Sequence, residues 1–580
     1  MRRIDRNSPD FAIIIGSLTI ILNIVLIGLG IWYYALPVYN VLWDVQGACL
    51  IVTYIWNVIA VLGNKRLINR DTTIGRQLSG FSYIYLVFFV VLTFLAMFGN
   101  FLVSTSSPDR EADYQFAFAL ILAGYFGTTG LGTILGFLIR SNATATKHGD
   151  GSTFTTRVPS KRVLFIRRLN FFSMKATAYI LLIGTGPLMI YFLFAKPYDL
   201  TTLMFGVFIA QLIPFLGFTY LGLTAILLRT KDRKKNKVAF PVIAVAGIVI
   251  SGACFLPMLA TPIMVVNAGN SFAAAFGAGW QARIDPAANS HFMQTPFSLP
   301  EYFLNNIISN YQVKQDILFY NSTSGNDKGI TLYFDAYLPP RGATGLPGHN
   351  STLVRIHGGA WQIGDKGRGN MVQMNRYFAA QGYIVFDIQY GMRSGGWELP
   401  IITPPNVLAP NITTDDMMRE VGAFCKYIEA NQSIYQCNLS SVFISGGSAG
   451  GQITCATALA LAAGNYTAEF GTGITVKGLI PFYPANGLAQ PPIEGALHQF
   501  WDPTFMVNDT SPPCLIFQGT NDLPQIQDAS ARFKAAYDAH GRQCAIISAP
   551  LAGHGNDLDF TTYYNLVFLY YMERFMYMFK

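Results

Sequence analysis

The sequence predicts two joined fold classes: an N-terminal all-α transmembrane domain of seven helices, then a C-terminal doubly wound α/β domain with a mostly parallel sheet. Three observations predict them. Residues 1–268 hold seven long apolar runs separated by short loops, every second one basic. Residues 300–580 alternate strand-like and helix-like segments. Four short Gly-containing motifs that carry Ser, Asp and His run down this second half, each following a predicted strand.

Composition agrees with that division. A chain of 580 residues holds two or more domains. Only 12% of residues are Asp, Glu, Lys or Arg and 51% are apolar, so part of the chain belongs in lipid. The net charge of +8 does not imply nucleic acid. The basic residues cluster in loops between apolar spans and form no patch with aromatics.

The seven runs lie near 11–34, 41–63, 81–103, 115–139, 171–195, 202–228 and 239–268. Each reaches the roughly 20 residues that a helix needs to cross a bilayer. Asp44 and Asn57 interrupt the second, and the long first run reads as an uncleaved signal anchor. Lys and Arg counts set the orientation. Arg2, Arg3 and Arg6 precede the first span, and Lys65, Arg66, Arg70 and Arg76 follow the second. Arg140, Lys147, Arg157, Lys161, Arg162, Arg167 and Arg168 follow the fourth, and Arg229, Lys231, Arg233, Lys234, Lys235 and Lys237 the sixth. The alternate loops 37–40, 104–114 and 196–201 are poor in basic residues, and Asp109, Glu111 and Asp113 make the middle one acidic. The N-terminus is therefore cytosolic, and after seven crossings the C-terminal domain is luminal or extracellular.

Sequons give an independent indication. Between 289 and 580, seven of nineteen asparagines begin Asn-x-Ser/Thr: Asn321, Asn350, Asn411, Asn431, Asn438, Asn465 and Asn508. Random placement gives about 3 at ordinary Ser and Thr content. The excess favours a glycosylated compartment. Asn142 also fits, but falls in a loop assigned to the cytosol and should stay bare. Cys425 and Cys437, which bracket a helix end, are the best candidates for a disulfide. Cys455 reads as a small buried apolar residue.

Residues 269–299 form the predicted juxtamembrane linker, rich first in Gly, Ala and Asn and then in Pro. The domain at 300–580 opens with strand-like runs at 312–320, 330–337 and 352–356, the last leading into His357. A helix near 371–382 precedes the continuous β-branched run 383–387, as a buried parallel strand requires. A helix at 415–430 precedes strand 442–445, and strands follow at 477–482, 514–518 and 544–548. In such a sheet, sites collect at the C-terminal strand edge.

The four motifs are His357-Gly358-Gly359-Ala360-Trp361, Gly446-Gly447-Ser448-Ala449-Gly450-Gly451, Gly519-Thr520-Asn521-Asp522 and Gly553-His554-Gly555. Nucleophile, acid and base thus appear in the order Ser, Asp, His, which is the layout of an α/β-hydrolase. A serine on a tight strand-to-helix turn needs small neighbours, which Gly446, Ala449 and Gly450 provide. His554 takes the proton of Ser448, an otherwise weak nucleophile. Asp522 holds the tautomer of His554 and stabilises its cation. The backbone N–H of Ala449, with Gly358 and Gly359, supplies the oxyanion donors.

Other residues compete for these roles. Asp528 begins the next helix, and His540, beside Gly541, belongs to a helix C-cap. His357 orders its loop. Trp361 either contacts substrate or packs beneath the oxyanion loop, and His498, in segment 485–510, either lines a pocket or lies at the surface. No group of His, Cys and carboxylates has metal-ligand spacing, so neither metal nor cofactor is expected.

The stretches HGGAWQIGDKG, AAQGYIVFDIQY and ISGGSAGG resemble the esterase branch that holds hormone-sensitive-lipase-like carboxylesterases. Within it they are similar to prenylcysteine methylesterases, kynurenine formamidases and feruloyl-esterase-like hydrolases. The resemblance covers roughly 300–575 and implies serine hydrolysis of a carboxylic ester without cofactor. It places nucleophile, acid and base on Ser448, Asp522 and His554. The GTNDLPQ stretch departs from a frequent Gly-x-x-Asp-x-x-Val-Pro pattern after the acid.

The expected activity is that of a membrane-held serine carboxylesterase acting on a hydrophobic or lipid-like ester, with membrane lipids as neighbours. An acyltransferase would use the same residues, and a seven-span receptor or adhesion scaffold would be the reading without catalysis. The spans either anchor the enzyme or feed it a lipid ester. Asp44, Asn57 and Gln211 are the polar residues inside spans that raise the second reading.

Overall fold

The computed structural model describes residues 8–36, 42–69, 72–105, 111–148, 161–305, 310–368, 370–395 and 402–580. Arg2, Arg3, Arg6, Arg70, Asp109 and Arg157 of the predicted loops lie outside the described residues. The apolar runs wind into α1 (Pro9–Ala35), α2 (Leu42–Leu67), α3 (Thr73–Thr105), α4 (Glu111–His148) and α5 (Lys161–Tyr179). A π-helical turn, Ile180–Thr185, joins α5 to α6 (Gly186–Phe194), and α7 (Leu200–Thr230) follows. Among the described residues, six helices are long and apolar enough to cross a membrane by length and composition.

The seventh predicted run is broken. It forms α8 (Ala239–Cys254), α9 (Leu256–Leu259) and α10 (Thr261–Phe276). Pro257 and Pro262 each remove an N–H and crowd the preceding turn, so the helix is interrupted at Phe255 and Ala260. The run still returns antiparallel to α7, because Gly247 packs on Thr224 and Phe255 on Gly217.

The basic ends of the helices gather together. Lys65 Nζ donates to Lys231 O, and Arg229 reaches Val61 O and Asn64 Oδ1. Lys147 pairs with Asp10 at 2.7 Å. Asn142 corrects its predicted loop placement: it is buried within α4 and accepts from Thr72 Oγ1 at 3.3 Å. Asn23 and Asn57 bond each other reciprocally at 2.9 and 3.0 Å, so Asn57 serves helix packing.

Residues 269–299, read as a juxtamembrane linker, are packed structure. Its first residues complete α10, and Phe272, Phe276, Trp280 and Phe292 are buried. The short helices α11 (Pro286–Asn289) and α12 (Leu299–Leu304) follow. Helix α12 enters the bundle, with Phe303 against Phe215 and Phe218, and Tyr34 Oη donating to Leu304 O at 3.1 Å.

The C-terminal half carries β1 (Gln312–Asn321), β2 (Thr331–Leu338), β3 (Ser351–Ile356), β4 (Ile384–Ile388), β5 (Met392–Arg393), β6 (Leu408–Ala409), β7 (Asn438–Gly447), β8 (Val476–Phe482), β9 (Cys514–Gly519) and β10 (Cys544–Ala549). Its helices are α13 (Asn370–Ala380), α14 (Thr414–Ala430), α15 (Gln432–Tyr435), α16 (Ala449–Ala463), α17 (Thr467–Phe470), α18 (His498–Trp501), α19 (Pro524–Ala539) and α20 (Tyr563–Phe579). The main sheet runs β1-β2-β4-β3-β7-β8-β9-β10, and β5 pairs with β6 separately. The pairs β1–β2 and β2–β4 are antiparallel and the rest of the main sheet is parallel. This is an α/β-hydrolase-like sheet, with every residue of β3, β4 and β9 buried.

Two apolar cores flank the sheet. One lies under α14, α16 and α19, and holds Val421, Ile453 and Phe533. The other runs without interruption from Leu26 and Phe89 in the bundle to Phe482, Phe568 and Phe575 under α20. One face of the hydrolase-like half and the helical bundle therefore share a core.

Cys425 and Cys437 are not paired. Both are buried and free, and the Cys437 thiol lies toward Gln432 O. Cys425 faces the apolar core from α14, where burial pushes its thiol up to about 12. Cys455 is buried among core residues of α16, as read from the sequence.

Candidate active site

Ser448 sits where β7 turns into α16, with φ 57° and ψ −119°. This positive φ strains a serine and projects its side chain out of the turn. A Cβ on Gly446 would lie 2.4 Å from Ile356 O, and one on Gly450 2.3 Å from His357 O. No larger residue fits either position, which is the physical content of the Gly-rich spacing.

Three loops at the C-terminal strand edge converge on this serine. Ser448 Oγ and His554 Nε2 are 2.8 Å apart. His554 Nδ1 lies 2.9 and 3.1 Å from the two Asp522 oxygens. A proton on Nδ1 satisfies the carboxylate, so that Ser448 donates to Nε2. Asp522 is fully buried and also accepts from Leu523 N at 2.7 Å and Gln518 Nε2 at 3.1 Å. Ser530 Oγ orients Gln518 in turn, at 2.6 Å.

The rival residues point elsewhere. Asp528 is exposed and pairs with Arg532 at 3.0 Å. His540 is the C-cap residue of α19 and meets Asp509 at 2.8 Å. His498 does not line the cavity beside Ser448; it is exposed and packs edge-on against Trp501. His357 is buried, stacks on Tyr390 at 4.5 Å and hydrogen-bonds Gly358 O at 2.9 Å. Burial pushes its pKa down to about 4, so it stays neutral.

The loop after β3 passes directly over the serine turn. A Cβ on Gly358 would lie 2.8 Å from Gly447 O and 3.4 Å from the Ser448 Cβ. Gly359 has φ 128°, and a Cβ there would overlap Ile363 O at 1.6 Å. Ala449 opens α16, where first-turn N–H groups have no intrahelical partner and the helix dipole is positive. Trp361 is buried. Its Nε1 donates to Gln452 Oε1 at 2.9 Å, while its ring lines the cavity.

Sequence reasoning missed several supporting residues. Tyr483, directly after β8, lies 4.5 Å from the His554 ring and donates to Asp557 Oδ1. Its place at a strand C-terminus was the available signal. The helical bundle also holds the His554 loop. Gln211 on α7 donates to Gly555 O at 3.1 Å and accepts from Asp559 N at 2.8 Å. Asn556 Nδ2 donates to Val207 O at 3.1 Å, and Ser104 Oγ on α3 donates to Asp559 Oδ1 at 2.7 Å. Asn521, next to Asp522, donates to Leu193 O and Ala195 O, both at 3.2 Å. No sequence signal joins residues that far apart.

A cavity of about 720 Å³ opens at Ser448 and His554. Its walls are largely apolar, including Trp361, Ile363, Met371, Leu488, Leu523 and Ile526. Among the described residues, no group of three or more His, Cys, Asp or Glu could hold a metal.

Residues 334–492 match the family model BD-FAE. The matched stretch contains the His357 loop and Ser448, and ends before Asp522 and His554. The match supports a carboxylesterase-like hydrolase in this half of the chain. No curated protein matches the chain. Among solved structures, Thermogutta terrifontis esterase 2 phosphorylated by paraoxon is similar at 20% identity, over 42% of this chain and 84% of that one, with a TM-score of 0.32. An inhibited esterase B from Lactobacillus rhamnosis is similar at 18% identity, over 51% and 90%, with a TM-score of 0.34. An esterase/lipase from an uncultured bacterium is similar at 15% identity, over 47% and 86%, with a TM-score of 0.34. TM-scores of this size leave the fold to be read from the strand order of the chain itself.

Proposed function

We propose that this chain is a membrane-held serine hydrolase that cleaves a hydrophobic carboxylic ester with Ser448, His554 and Asp522 as its catalytic triad. The observation that carries the reading is the continuous hydrogen-bonded chain from Ser448 Oγ through the His554 ring to the buried Asp522. Ser448 Oγ attacks the ester carbonyl while its proton passes to His554 Nε2. The N–H groups of Gly358, Gly359 and Ala449 bind the carbonyl oxygen as it becomes anionic. His554 gives the proton to the departing alcohol, leaving an acyl-serine. Water, deprotonated by His554, then attacks the acyl carbon and releases the carboxylic acid and free Ser448.

Seven crossings with a cytosolic N-terminus account for the distribution of charge. The basic loops meet at one end of the bundle. The hydrolase-like half packs on the other, through Tyr34, Ser104, Leu193 and Val207 near the poorly basic loops. The seventh crossing is the broken run α8 to α10. On this reading residues 300–580 lie on the luminal or extracellular side. Of the seven sequon asparagines, Asn321, Asn350, Asn411, Asn438 and Asn465 are exposed, while Asn431 and Asn508 are half-buried.

Labelling of the full-length protein by a fluorophosphonate probe tests the reading, with a glycosidase-dependent mobility shift as the test of sidedness. Wild type should label, and Ser448→Ala should not. Unlabelled wild type that is folded and glycosylated would overturn the catalytic reading and bring forward the receptor or scaffold alternative. Product analysis in the presence of an alcohol separates an acyltransferase from a hydrolase.

A further inference from the structure

The cavity beside Ser448 is not walled by the hydrolase-like half alone. Phe101 and Thr105, in the last turns of α3, and Leu203 and Val207, in the first turns of α7, close one side of it. The same stretch of α7 carries Gln211, which grips the His554 loop. The wall is therefore fixed relative to the reactive serine. Val207 illustrates the fit: its side chain would lie 3.3 Å from a Cβ on Gly555, directly after the catalytic histidine.

A second observation extends that wall along the bundle. Along α3, Phe88, Val91, Phe94 and Phe98 are exposed apolar residues at helical spacing. Steps of three and four residues put them on one face, which continues through Phe101 to Thr105. That stripe runs up the outside of the bundle and ends in the cavity wall. A water-soluble substrate gains nothing from such a ladder. A hydrocarbon chain already in lipid can follow it to the serine without leaving an apolar surface.

We propose that α3 and α7 form the binding site for the long hydrocarbon chain of a lipid ester, with Phe101, Leu203 and Val207 setting the chain length accepted. The proposal rests on the serine-hydrolase reading above and names its substrate class. The volume of about 720 Å³ falls within the roughly 300–1,000 Å³ usual for organic ligands. Each methylene taken up from water should raise kcat/KM about fourfold until the site is full.

The test uses the full-length protein in detergent with p-nitrophenyl esters from acetyl to palmitoyl, and reads the ratio of long-chain to acetyl kcat/KM within each variant. Wild type should favour long chains. Leu203→Trp should lower the dodecanoyl-to-acetyl ratio at least tenfold and shift the optimum to shorter chains. Phe101→Ala, which enlarges the site, should shift the optimum the other way. A wild type that prefers acetyl esters overturns the proposal. So does a long-chain preference that neither substitution moves, because the chain would then lie on hydrolase residues only. Failure of fluorophosphonate labelling in wild type would instead bring down the underlying catalytic reading, and the two failures are distinguishable.

Discussion

Replacing Gln211 by alanine removes two of the hydrogen bonds by which α7 holds the loop that carries His554, and leaves that of Asn556 to Val207 O. Asp559 N loses its acceptor at 2.8 Å and Gly555 O loses a donor at 3.1 Å. The Asp559 amide is buried and its orphaning costs about 1–3 kcal/mol, whereas the half-buried Gly555 carbonyl is partly repaid by water. A net penalty of about 2 kcal/mol on the catalytic position of the loop corresponds to a roughly thirtyfold fall in the population poised to react. Gln211 touches neither the serine nor the base, so it is a positioning residue. The expected signature is a kcat lowered about 10- to 100-fold, a KM within about twofold of wild type, and a parallel fall in the rate of fluorophosphonate labelling. Gln211→Glu adds a readout that packing alone would not produce. Protonated Glu can donate to Gly555 O and accept from Asp559 N, and ionised Glu cannot donate. Activity relative to wild type should therefore be best at low pH and fall as pH rises. A folded Gln211→Ala protein with unchanged kcat, or with only KM raised, would refute the reasoning.

Two further outcomes follow from the same geometry. Gly359→Ala places a Cβ 1.6 Å from Ile363 O at φ 128°, so the loop must move away from Ser448. Loss of an oxyanion donor at about 3–4 kcal/mol predicts a labelling rate down by more than 100-fold. Gly342→Ala, at φ 73° in open space, should leave that rate unchanged. Glu420, fully buried in α14 with one oxygen accepting from Gly391 N, has its pKa pushed up to about 8 by burial. The folded state then holds a proton that the unfolded state releases from about pH 4.5, so stability falls as pH rises toward 8. Between pH 5 and pH 8 the contribution of this one group falls by about 3 kcal/mol, and Glu420→Gln should lessen the pH dependence of thermal unfolding across that range by about that amount.

The serine turn was legible because its constraints are local. Gly446 and Gly450 are dictated by carbonyls of the neighbouring strand and loop, only 2.4 and 2.3 Å from where a Cβ would stand. The order of Ser448, Asp522 and His554 likewise reflects the ends of β7, β9 and β10, three parallel strands of one sheet. The seventh apolar run was legible as hydropathy but not as geometry. An average over 239–268 does not register that Pro257 and Pro262 each interrupt the hydrogen-bond ladder. His498 was left between pocket and surface for a related reason: segment 485–510 is largely loop, and no periodicity says which way a loop side chain points. The bonds from Gln211, Asn556 and Asn521 were out of reach altogether. They join residues 326 to 349 positions apart; Gln211 stood out only as a polar residue inside a span, and nothing in the sequence ties it to the His554 loop.

Those long-range bonds alter what the helical half does. An anchor would need only a covalent tether, and its contacts with the site could be lost without consequence. Here the carbonyls of Leu193 and Ala195 fix the residue beside Asp522, and Val207, Gln211 and Ser104 fix the loop of His554. Asp559 is buried in that interface. Burial pushes its carboxyl up to about 7, and the Ser104 hydroxyl donates to it. A site assembled from both halves should be catalytically competent only when the bundle is folded.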